Sequence, residues 1–141
     1  MDLELLFLIA NGVALAGWLP LFLGMRSDFA IGFARIVAIL LAAAYLILFL
    51  LWADEARVLV RDYSLRGIGA FFAQPGLLLL GWVHYLAFDL FVGSCEVKEA
   101  RKAELPQLLV LPCLILTFLL GPVGFLAFVL LRSLKGSRAA A

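Results

Sequence analysis

The chain has 141 residues, of which 66% are hydrophobic, and a mean hydropathy of +1.14. A soluble domain carries roughly 45–50% apolar residues and has too little interior to hide more. Eleven Lys and Arg against ten Asp and Glu leave a net charge of +1, which excludes a basic surface for nucleic acid.

The charges cluster, leaving charge-free runs at Leu5–Met25, Ile36–Ala53, Gly67–Phe88 and Leu105–Leu131. About 20 apolar residues cross a hydrocarbon core of roughly 30 Å. The runs lack the alternation of barrel strands and read as helices. The expected fold is all-α, an integral membrane bundle of four transmembrane helices. Residues 1–132 form a single domain, and 133–141 form a flexible polar tail.

Helix 1 is expected over about Leu3–Gly24, with Asn11, Trp18 and Pro20. Asp2 and Glu4 lead it where a cleaved signal would carry positive charge, so it is read as retained. Helix 2 runs from about Phe33 to Ala53. In the stretch that follows, Val58, Leu59, Tyr63 and Leu65 interleave with Arg57, Arg61, Asp62 and Arg66. That pattern fits a short helix lying along the membrane surface or a solvated loop. Helix 3 spans about Pro75–Cys95, a connector EVKEARKAE follows, and helix 4 spans about Pro106–Arg132 with Pro112 and Pro122 inside it. Cys95 and Cys113 do not make a disulfide framework. With four spans both termini share a side, and Lys plus Arg divide six to five in favour of that side being cytoplasmic.

Polar groups at depth are the informative ones: Asn11, Tyr45, His84, Tyr85, Asp89 and Thr117. An offset of five puts His84 and Asp89 about 140° apart around a helix. Trp82, Tyr85 and Asp89 share a stripe, with His84 turned towards a neighbouring helix. The pair serves either as chemistry or as polar glue between helices. One His and one Asp, with no other clustered donors, fall short of a metal set, and no metal or cofactor is expected. Prolines beside small residues in helices 1 and 4 kink the backbone, which either opens a cleft or only shapes packing.

The segment GWVHYLAFDLFVGS (Gly81 to Ser94) resembles the signature of the abscisic-acid-deficient-four-like family of small membrane proteins, and ANGVALAGWLPLF and LPCLILTFLLGPVGFL match its pattern too. The resemblance implies a four-helix membrane fold. It also implies a link to carotenoids, because plant members are required for making neoxanthin from violaxanthin, which opens an epoxide and creates an allene. On that basis His84 and Asp89 are the candidate catalytic acid/base pair, with Asn11, Trp18, Trp82, Tyr85 and Thr117 lining a carotenoid or isoprenoid site. Helix 1 has no Arg/Ser-rich leader before it, as expected of a bacterial inner (plasma) membrane protein. The alternative is a non-catalytic carotenoid- or lipid-binding scaffold subunit, with a homo-oligomer or a membrane enzyme as partner. A transporter fits least, since so few intramembrane charges would need an oligomer to form a pathway.

Overall fold

The computed structural model describes residues 2–24 and 26–139. The side chains of Val58, Leu59 and Arg61, part of the expected amphipathic pattern, and those of residues 136–139 lie outside the described residues. Among the described residues every element is a helix: α1 Leu3–Phe22, α2 Asp28–Leu51, α3 Ala53–Arg61, α4 Leu65–Phe72, α5 Pro75–Lys102, α6 Gln107–Leu120 and α7 Pro122–Ala139.

Local chemistry sets the helix starts. The Asp2 carboxylate accepts from the amides of Glu4 and Leu5, the Ser27 hydroxyl from Ala30, and the Ser64 hydroxyl from Gly67, which satisfies amides that a first turn leaves open. Pro75 opens α5, where its missing N–H costs nothing. Three helices, α1, α2 and α5, are long and apolar enough to cross a membrane. They pack together around a core that includes Trp18, Leu21, Val37, Leu41, Leu80, Val83 and Leu90. Gly17 and Gly93 allow the close approach of α1 to its neighbours: a Cβ on Gly17 would lie 2.5 Å from Leu90, and one on Gly93 would run into the Trp18 ring.

The polar stretch after α2 forms two short helices, α3 and α4, so it is helical and not a plain loop. The expected fourth span is different. It breaks at Gly121, whose φ of +38° ends α6, and Pro122 begins α7. At 14 residues, α6 is about 21 Å long, short of a bilayer core of roughly 30 Å. α7 folds back along it: Gly124 sits directly on the backbone of Thr117, and the Lys135 ammonium reaches the carbonyls of Ala103 and Glu104, just before α6 begins. Arg132 also pairs with Glu99 of α5 at 3.0 Å. Among the described residues there are thus three helices able to cross and an α6–α7 hairpin, so the expected bundle of four spans is not confirmed. The hairpin enters and leaves on one side, the side of the α5 C-terminus. α7 stays helical through Ala139, into the stretch expected to be a tail.

The side that carries the hairpin ends is tied by polar bonds. Arg26 donates to the Leu105 carbonyl at 2.7 Å, Arg101 donates to the Arg26 carbonyl at 3.0 Å, and Arg101 pairs with Asp28. This side collects Arg26, Arg35, Lys98, Arg101, Lys102, Arg132, Lys135 and Arg138, against Arg57, Arg61 and Arg66 on the other. The near-even count expected for four spans becomes strongly one-sided, and the two ends of the chain fall on opposite sides. The expectation that both termini share a side does not hold for this topology. The positive-inside rule predicts a cytoplasmic α5 C-terminal side for this topology, which cysteine labelling tests. In a chain with Cys95 and Cys113 changed to Ser, single cysteines at Ser27 and Ser133 should react with an impermeant maleimide only from the cytoplasmic side. One at Ser64 should react from the other. Labelling of positions 64 and 133 from the same side would overturn the hairpin topology.

Candidate functional site

The site is built on one stripe of α5. Residues seven apart on a helix face nearly the same way, so Trp82, Asp89 and Glu96 lie in a row, with Tyr85 beside them. The stripe faces the α6–α7 hairpin in its upper half and α1 in its lower half.

At the tip of the hairpin, Asp89 lies against Gly121: a Cβ added there would sit 2.8 Å from Asp89 Oδ1. Only glycine fits both this contact and the positive φ. The break leaves backbone carbonyls at the end of α6 without helical partners, and the Tyr85 hydroxyl donates to one of them, Phe118 O, at 3.3 Å. The first turn of α7 begins at the same point, so the positive end of its dipole lies close to the carboxylate. Asp89 Oδ2 is buried and has no hydrogen-bond partner among the described residues.

About 10.5 Å further along α5 lies Glu96. Its residue is 2% exposed; Oε1 accepts from the Thr117 hydroxyl at 2.8 Å, while Oε2 is buried without a partner among the described residues. Two carboxyl groups inside the apolar part of one protein, each with an orphaned oxygen, are costly to fold around. Below Asp89, Trp82 Nε1 donates to Asn11 Oδ1 at 3.2 Å, Asn11 Nδ2 donates to the Phe7 carbonyl at 2.7 Å, and the Trp82 ring lies 5.5 Å from Tyr85 and 5.6 Å from Phe7. A cavity of 470 Å³ lined by Phe7, Leu78, Leu79 and Trp82 opens at the lower end of this groove.

The structure therefore brings Asn11, Trp82, Tyr85 and Asp89 into one row and joins Thr117 to Glu96. Trp18 is part of the core, stacked on Phe22 at 5.2 Å and edge-on to Phe118 at 5.5 Å. His84 is placed elsewhere. Its ring packs on Phe88 at 4.6 Å and Tyr45 at 5.6 Å, and it faces outward, on another side of α5 from Asp89. The sequence reading missed Glu96, which it assigned to a connector because the expected helix ended at Cys95. The signal was present: Glu96 is seven residues from Asp89 in a stretch with no proline.

A family model described as ABA DEFICIENT 4-like matches residues 5–128, from α1 into α7. The chain belongs to the ABA DEFICIENT 4-like family. No curated protein and no solved structure matches it. For this family member, the matched region takes in the whole α5 stripe and the hairpin tip.

The tip gives a direct test. Gly121→Ala should cost about 1–2 kcal/mol or more, because an L-residue is strained at positive φ and its Cβ meets Asp89. Gly12→Ala, where a Cβ meets nothing within 4 Å, should leave stability unchanged or raise it slightly. Thermal unfolding in detergent would compare them, and equal effects would mean that the hairpin tip is not constrained as described.

Proposed function

We propose that this membrane protein binds the end of a carotenoid or related isoprenoid in the groove beneath the hairpin tip, and that Asp89 exchanges a proton with it. The observation that carries this reading is the orphaned, buried Asp89 oxygen beside a helix break. A carboxyl kept only for packing would be expected to have a partner for each oxygen. The groove suits an apolar, unsaturated ligand, with the Trp82, Tyr85 and Phe7 rings as walls and the Asn11–Trp82 bond supplying a fixed polar point.

The chemistry that the family link suggests is an isomerisation, and one carboxyl group suffices for its balance. The acid donates a proton to an epoxide oxygen as the ring C–O bond breaks. The polyene carbon next to the ring loses a proton as the double bonds shift to an allene, and that proton restores the carboxyl. Nothing is oxidised and no cofactor is consumed. Tyr85, adjacent on the same face, fixes the backbone on which Asp89 rests. His84, on another side of the helix, takes no part in this reading.

A non-catalytic carotenoid- or lipid-binding subunit is the second reading. It is supported by the bond from Thr117 to Glu96, which joins a carboxyl of the same stripe to a neighbouring helix. Expression in a violaxanthin-producing host, followed by pigment extraction and chromatography, distinguishes them. The wild type and His84→Ala should both form a shifted product, and Asp89→Asn should lose it by roughly a hundredfold or more, the scale of a lost acid/base group. Product formed equally by Asp89→Asn would sink the catalytic reading. Pigment that co-purifies with all three proteins without conversion would favour the binding subunit.

A further inference from the structure

Arg35 is a cation that neither the bundle nor the α5 stripe accounts for. It lies seven residues inside α2, roughly 10 Å from the helix start and directly before the charge-free run Ile36–Ala53, where an arginine is expensive unless it meets a counter-charge or reaches the headgroups. Its protein contacts are weak: Nε to Ser94 Oγ at 3.3 Å, Nη2 to Cys95 Sγ at 3.7 Å, and the Phe91 ring at 6.0 Å. No carboxylate lies within ion-pair distance of it among the described residues.

Arg35 stands over Phe91, the residue that two neighbouring cavities share. Both lie on the outward face of α5, between α2 and α7. One of 230 Å³ lies over Ala38, Ala42 and Phe88, and one of 580 Å³ is walled by Phe125 and Phe128 of α7. The alanines of α2 make the floor shallow enough for a chain to lie in. At the mouth, Lys98 sits one turn above Ser94 on the same face, and Arg132 borders the larger cavity. The larger cavity is also lined by Glu96 and Glu99, but Arg132 and Lys102 pair with Glu99 and Thr117 donates to Glu96, which leaves Arg35 and Lys98 as the cations beside the apolar bed without a carboxylate partner among the described residues.

We infer that these two cavities are a binding site for an anionic phospholipid, with its phosphate held by Arg35 at the mouth and an acyl chain lying over Phe91 and Phe88. A phosphodiester supplies the acceptors that a planar guanidinium is built to hold and the charge that Arg35 lacks. Binding is read by native mass spectrometry of the full chain in detergent, titrated with phosphatidylglycerol, with diacylglycerol bearing the same chains, and with inorganic phosphate. The wild type should take up one phosphatidylglycerol per chain. Arg35→Gln should weaken it by roughly tenfold or more, the scale of a lost charge-assisted bond. Ala42→Phe, which fills the bed without touching Arg35 or the α1–α5 core, should weaken it as well. Diacylglycerol should bind more weakly by a similar factor, and inorganic phosphate should not displace the lipid. Unchanged binding in both variants, diacylglycerol binding as tightly as phosphatidylglycerol, or displacement by phosphate alone would each overturn the site. The first outcome would leave Arg35 as a pin between α2 and α5.

Discussion

A helix that stops inside a membrane exposes carbonyls and amides that lipid cannot satisfy, so every such break must be met by protein. The turn at Gly121 and Pro122 is that constraint here. Glycine supplies the positive φ, proline removes one amide that would otherwise need a partner, and the Tyr85 hydroxyl takes one of the exposed carbonyls. The tip is held against α5 at the level of Asp89, which is why the polar residues of α5 fall where they do.

The rest of the hairpin follows from the break. With α6 too short to cross, α7 has to return, and the return brings Gly124 onto Thr117 and Thr117 onto Glu96. The Arg132–Glu99 pair and the Lys135 contacts close the open end at the membrane surface. Pairs as exposed as these add little stability on their own; they fix where the end of α7 lies. The weight is carried by close packing around Gly17, Gly93 and Trp18, where small residues let helices approach without a hydrophobic drive between them.

α5 serves two surfaces at once. Its inner stripe carries two carboxyls, each with one orphaned oxygen among the described residues, and aromatic walls below Asp89. Its outer face carries His84, Phe88, Phe91 and the neighbourhood of Arg35. One helix can do this because residues five apart point to different sides, the relation between His84 and Asp89. The two surfaces are separated by the body of α5, so ligands on each would not compete for the same atoms.

Membrane residence and the three long helices were legible in the sequence, because a charge-free run of about 20 residues matches the thickness of a hydrocarbon core and exceeds what a soluble interior can bury. The shared stripe of Trp82, Tyr85 and Asp89 was legible too, since helical spacing alone sets it, and so was the placing of His84 on another side of the helix from Asp89, although its ring faces outward and not into the bundle. The family resemblance rested on the same segment and is matched by residues 5–128. The fate of the last apolar run was not legible. Leu105–Leu131 is long enough to span, and a proline in a membrane helix is as compatible with a kink as with a reversal. Only the contacts of Gly124 with Thr117 and of Lys135 with Ala103 choose between them, and with that choice come the sidedness of the chain's end and the partners of Asp89 and Glu96. Local spacing determines which way a side chain points on its own helix; what stands opposite it is decided by packing between segments far apart in the chain.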